Sequence, residues 1–169
     1  MRVDHTSVPR LAGAAPPAVD PSGRSYAVIA VGAAARPVAG RWLAELASRA
    51  DRPPVWSARV DRLDGTVLAA FEERLRAATV GWRLMLAGPE ADVMRLRARA
   101  VRAGAVPAEI REHATEADRR RIHCAHCRAI TEAEVGVGGT VECRGCGLTL
   151  RCQRHFSRRL AAYLGVEAS

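Results

Sequence analysis

Cys124-Ala-His-Cys127 and Cys143-Arg-Gly-Cys146 are two C-x2-C pairs separated by fifteen residues. A tight turn places both thiolates of such a pair on one side, and two turns facing each other build a tetrahedral S4 cage, which zinc accepts at about 2.3 Å per bond. Gly145 and Gly147 suit a knuckle whose backbone amides point at sulfur. Four thiolates close the coordination sphere, so the metal holds structure and offers no place to water or substrate. One zinc per chain is the expectation, with Cys124, Cys127, Cys143 and Cys146 as ligands. Iron, as a single S4 centre or a cluster, uses the same donors, but the charged Arg128, Glu142 and Arg144 around the pairs favour zinc. His123, His126 and His155 are then surface or supporting groups, and Cys152 is expected as a small buried hydrophobe. A cluster of this kind reads as metal ligation in a reducing compartment rather than as a disulfide framework.

The stretch between the pairs, Ala129 to Glu142, carries Ile130, Val135, Val137 and Val141 around Gly138-Gly139, which predicts a β-hairpin. After the second pair, Phe156, Leu160 and Leu164 recur every four residues and predict a short helix over 155–164. Residues 122–169 thus read as a zinc ribbon with a C-terminal helix.

Upstream, residues 25–113 alternate short apolar runs with helical patterns. Tyr26 to Val31 is continuously apolar, as a buried parallel strand requires. Gly32 allows a turn, Pro37 suits a first helical turn, and Trp42, Leu43 and Leu46 fall on one face. Val55–Val60 and Trp82–Ala87 predict further strands. Asp64 or Thr66 caps a helix bearing Val67, Leu68, Phe71 and Leu75. Val93, Leu96, Ala100 and Val101 face one side of a third helix that Gly104 stops, and Ile110 lies on a last strand. This β-α-β-α-β-α-β order predicts a small parallel, Rossmann-like α/β sheet with flanking helices and right-handed crossovers. Residues 1–24, with Pro9, Pro16, Pro17 and Pro21, read as an extended arm that is ordered where it docks. Residues 114–121 read as a polar hinge.

The chain has 169 residues with a formal net charge of +8; all 26 basic residues are Arg, and aromatic residues make up 4%. The charge invites nucleic acid, while the arginines are spread along the chain beside Asp and Glu, and few aromatics are present to stack on bases. No apolar run reaches the ~20 residues of a membrane span, and the N-terminus lacks a secretory pattern, so a cytoplasmic location is expected, without a membrane partner.

His123-Cys124-Ala-His-Cys127-Arg, Cys143-Arg-Gly-Cys146-Gly147 and His155-Phe-Ser-Arg-Arg-Leu-Ala-Ala-Tyr-Leu-Gly165 together resemble the small subunit of bacterial dimethylamine monooxygenases. The resemblance covers roughly residues 120–166. It implies an accessory subunit of a multi-component enzyme that oxidatively removes a methyl group from a secondary amine, with oxygenase and reductase subunits as partners and reduced nicotinamide as the electron source. The front part resembles a reduced nicotinamide-nucleotide domain of ferredoxin reductases. There, Val31-Gly32-Ala33-Ala34-Ala35-Arg36-Pro37 stands for a Gly-rich loop and Ala87-Gly88-Pro89 for a Cys-Gly-Pro. Ala34 replaces a glycine that would let backbone approach a pyrophosphate, and Arg36 and Ala87 replace the Thr and Cys. No working nicotinamide site and no catalytic residue of the chain's own are expected.

Two rival functions come from the same residues. One is a nucleic-acid-binding zinc ribbon, favoured by Arg151, Arg154, Arg158 and Arg159; the other is a nucleotide-dependent oxidoreductase built on the parallel sheet. For the accessory role, His155, Arg158, Arg159 and Tyr163 are the expected partner-binding face of the C-terminal helix.

Overall fold

The computed structural model describes residues 15–168. Four strands, β1 (Ser25–Val31), β2 (Val55–Val60), β3 (Trp82–Pro89) and β4 (Ile110–Glu116), form a wholly parallel sheet in the order β2-β1-β3-β4. Parallel neighbours need crossovers, and helices α1 (Arg36–Ala47), α2 (Gly65–Arg76) and α3 (Glu90–Arg102) supply them. The Asp64 carboxylate accepts from the Val67 amide at 2.9 Å and caps α2. Pro37 lies in the first turn of α1. In β1, Tyr26 to Val31 are all buried, because successive side chains point to opposite faces and both faces are covered.

One face of the sheet, with Tyr26, Val28, Ala30, Met85 and Ala87, packs on Trp42 and Leu46 of α1. The described part of the N-terminal arm closes that side. The Trp42 indole donates to the Pro17 carbonyl at 2.7 Å, Val19 is buried, and Arg83 pairs with Asp20 at 2.8 Å. Ser22, then Arg83, hold the Asp20 carboxyl down at about 2. The arm's first fourteen residues, Pro9 among them, lie outside the described residues.

The second sheet has five strands in the order β6-β5-β9-β8-β7: β5 (Arg119–Cys124), β6 (Ile130–Glu134), β7 (Thr140–Glu142), β8 (Thr149–Ser157) and β9 (Ala162–Glu167). Three expectations change here. The helix over 155–164 does not form. Instead β8 runs into a turn in which the Ser157 hydroxyl accepts from the Leu160 amide at 3.2 Å and Ala161 takes a left-handed φ of 50°. The chain then returns as β9, bonded in parallel to β5 and antiparallel to β8. A ten-residue helix is marginal alone, whereas β9 satisfies backbone groups on both its edges. Secondly, Ala129–Glu142 is not a simple hairpin. A turn over 136–139 closes with Gly139 N donating to Gly136 O at 3.0 Å, but β6 pairs with β5 and β7 with β8, at opposite edges of the sheet. Thirdly, most of the polar 114–121 segment is strand: Ala114–Glu116 complete β4 and Arg119–Arg121 begin β5.

Helix α3 is held between the two sheets. Its Val93, Met94, Leu96 and Ala100 belong to one continuous core with Leu84 and Leu86 of the parallel sheet and Ile122, Leu150, Phe156 and Tyr163 of the second. The interlock has polar members. The Tyr163 hydroxyl donates to the buried Glu90 carboxylate at 2.8 Å, and Arg120 lies over the Tyr163 ring at 5.5 Å.

Candidate metal centre

The two C-x2-C pairs sit in matching knuckles at the end of β5 and just after β7. In the first, the Cys124 amide donates to Ala129 O at 2.9 Å and the Arg128 amide to Cys124 O at 3.0 Å. In the second, Cys143 N donates to Leu148 O at 2.8 Å and Gly147 N to Cys143 O at 2.9 Å. Each ends on a left-handed residue, Arg128 at φ 64° and Gly147 at φ 74°. A glycine takes that conformation freely; an arginine is held there at a cost of roughly 1 kcal/mol. The knuckles also approach closely. A Cβ on Gly145 would lie 2.7 Å from Ala129 Cβ and 3.0 Å from Cys127 Sγ, so only glycine fits. The buried Thr131 of β6 ties the second knuckle to the sheet, its Oγ1 accepting from Arg144 N at 3.1 Å.

This frame brings the sulfurs of Cys124, Cys127, Cys143 and Cys146 within 4.8 Å of one another. Cys124 and Cys146 are 3.9 Å apart and Cys127 and Cys143 are 3.5 Å apart. A tetrahedron with bonds of about 2.3 Å has edges of about 3.8 Å, so the four can hold one metal ion. Backbone amides already point at sulfur, Cys127 N at Cys124 Sγ (3.5 Å) and Gly145 N at Cys143 Sγ (3.4 Å). The amides of Gly145 and Cys146 and the neighbouring thiols bring the Cys143 thiol down to about 6. At Cys146 the Leu148 amide pulls the same way, but burial and the thiols of Cys127, Cys143 and Cys124 push it up to about 12. The cluster accepts one negative charge and resists the next, a repulsion that a bound divalent cation removes. The donor set therefore fits a metal.

Cys152 is buried in the core and outside this group, its thiol pushed up by burial. His126 is exposed between the first two cysteines, and His123 is half-buried on β5.

The expected partner-binding residues are not brought onto one face. His155 is exposed on β8, Arg158 and Arg159 are exposed in the β8–β9 turn, and Tyr163 is buried against Glu90. Tyr163 is thus a core residue joining the sheets. Sequence reasoning missed Glu90 and Arg120: an acid in the first turn of a helix is ordinary, and a run of arginines marks no particular partner.

At the ends of the parallel strands, Gly32 has φ 83° and Ala33–Ala35 form a 3-10 turn before α1. Arg36 pairs with Asp61 at 2.5 Å. A Cβ on Gly88 would lie 3.0 Å from Val31, so its packing beside β1 accounts for the glycine.

Residues 121–166 match the family described as dimethylamine monooxygenase subunit DmmA-like, C-terminal domain. This region is similar to that domain. The match opens within β5 and closes within β9, and so spans both knuckles. Over 92 residues the chain is 42% identical to the heme-dependent oxidative N-demethylase delta subunit of Ectopseudomonas mendocina (strain ymp), covering 54% of this chain and 51% of that protein. The chain spans about half the length of the curated relative that it matches. No solved structure matches. The chain thus resembles a DmmA-like small subunit, and its DmmA-like region contains all four clustered cysteines. Among the described residues no helix is long and apolar enough to cross a membrane.

Proposed function

We propose that this protein is an accessory, non-catalytic subunit of a multi-component amine monooxygenase that carries out oxidative N-demethylation. Its own metal is one structural zinc on Cys124, Cys127, Cys143 and Cys146, and redox and oxygen chemistry belong to oxygenase and reductase partners. The observation that carries this reading is that the four clustered sulfurs fall inside the DmmA-like segment. Four thiolates saturate a tetrahedral ion and lock the two knuckles together. The closed site then acts by shaping the second sheet, which packs on α3 and joins the Rossmann-like half to the ribbon.

The test is reconstitution. Co-expression with the oxygenase and reductase components of a dimethylamine-oxidising system should yield a complex containing this chain at a fixed ratio by native mass spectrometry. Omitting the chain should lower nicotinamide-driven demethylation. Full activity without it, and no association, would refute the accessory role. Recovery of the protein chiefly with nucleic acid would favour the nucleic-acid-binding ribbon.

A further inference from the structure

Helix α3 carries Arg95, Arg99 and Arg102 at spacings of four and three, which places them on one stripe. Arg76, at the end of α2, joins Arg99 and Arg102 around a groove of about 300 Å3 floored by Leu75 and Ala103. On the other flank, Arg102 Nη1 donates to the Arg159 carbonyl at 3.1 Å. That contact brings the exposed Arg158 and Arg159 of the β8–β9 turn to the same stripe. Arg121 of β5 lies alongside, its Nη1 donating to the Leu160 and Ala161 carbonyls of that turn.

Positive charge on this strip exceeds what the fold neutralises. Burial lowers the tendency of Arg121 to stay charged; Glu132 and, less strongly, Asp92 oppose that, and Arg95 and Arg99 reinforce it. Among the described residues the buried Nε donors of Arg99 and Arg121 have no hydrogen-bond acceptor, while Arg76, Arg102, Arg158 and Arg159 are exposed and can be reached from outside. The carboxylates facing them, Glu72 and Glu132, stand off at 3.7 and 3.4 Å. Arginines gathered at such a Coulombic cost are matched when anionic groups arrive from outside.

We propose that this strip, from the α2–α3 groove across to the β8–β9 turn, is a docking surface for an Asp/Glu-rich segment of a partner protein. The inference rests on the accessory-subunit reading. Guanidinium and carboxylate meet as planar, bidentate pairs. Leu75 and Ala103 add apolar lining to the groove, and apolar surface beside arginine is the mixture that protein interfaces favour. None of the groove's described lining residues is aromatic, so bases would find nothing there to stack on.

The experiment uses the full chain and a fluorescein-labelled twelve-residue peptide of alternating Glu and Ala, followed by anisotropy at low salt, with a duplex DNA of equal charge as competitor. Saturable peptide binding is expected, weakened at least tenfold by Arg76→Glu with Arg102→Glu. Arg59→Glu with Arg62→Glu, the same charge change on edge strand β2 and the loop after it, should weaken it less than twofold. If the first pair lowers the melting temperature, Arg158→Glu with Arg159→Glu in the exposed turn replaces it. Equal losses from strip and control pairs, no saturable binding, or DNA preferred over peptide through the same arginines would each overturn the proposal. Purified oxygenase and reductase components separate it from the functional reading. Assembly that survives Arg76→Glu/Arg102→Glu refutes the strip alone, and peptide binding by a chain that never assembles refutes the accessory role alone.

Discussion

Tyr163→Phe removes one oxygen from the junction between the two sheets. The ring stays, with its edge-to-face contact to Phe156 at 5.0 Å and its cation–π contact to Arg120 at 5.5 Å. The 2.8 Å hydrogen bond to Glu90 is lost, and with it the hydroxyl's weaker interaction with Arg120. Glu90 is 4% exposed, so water cannot replace the donor. An unmet acceptor of this kind costs about 1–3 kcal/mol, more when it is charged. For a domain of this size each kcal/mol lowers the melting temperature by about 2–4 °C. The cost should also depend on pH. Burial raises the Glu90 carboxyl above its ordinary value, and the Tyr163 hydroxyl opposes that rise. A raised carboxyl contributes stability that is full below its unfolded value and is lost as pH rises through its folded value. Without the hydroxyl the folded value climbs further, so the variant loses stability over a wider window. Urea unfolding of both proteins at pH 6 and 8.5, with zinc present throughout, should show a larger deficit for Tyr163→Phe at the higher pH. A deficit below about 0.5 kcal/mol, or one equal at both pH values, would refute a buried, ionised Glu90 held by Tyr163.

Elemental analysis of protein prepared without added metal should find about one zinc per chain, and Cys143→Ser should cost several kcal/mol of stability, since metal binding here is folding free energy; iron with a visible absorption band would refute the zinc assignment. Gly165→Ala should destabilise by about 1–3 kcal/mol, because its Cβ would stand 2.5 Å from Ile122 Cγ2. Gly40→Ala, in α1 with nothing within 4 Å, should instead stabilise by about 0.5–1 kcal/mol, and equal melting temperatures for the two variants would contradict the packing described. Calorimetric titration with oxidised and reduced nicotinamide nucleotides should show no binding tighter than about millimolar, a level worth ~4 kcal/mol; saturable micromolar binding would restore a nucleotide site at Gly32 and Arg36.

Much of the parallel half was legible because its signals are local. An unbroken apolar run from Tyr26 to Val31 is uncommon outside a strand covered on both faces, and β2 occupies the predicted Val55–Val60. Asp64 caps α2 through a bond to an amide three residues away. The grouping of the four cysteines was legible for the same reason, since each C-x2-C turn closes on itself and chemistry requires two such turns to meet. Gly145 and Gly147 marked the second knuckle; the matching left-handed position in the first is Arg128, which no residue-type rule would pick out.

What the sequence determined by itself was therefore the set of short-range elements and the sulfur donors. The tertiary structure decided how the C-terminal residues are used. Phe156, Leu160 and Leu164 have helical spacing, yet β9 lies between β5 and β8, where long-range ladders on both edges outweigh a weak local preference. Gly165 is the point where β9 passes against Ile122 and Leu150. The same docking turned the polar segment after Ile110 into strands and carried Tyr163 inward to Glu90, 73 residues away in the chain. Contacts of that separation leave no periodicity to read, because each partner's position depends on the packing of everything between them.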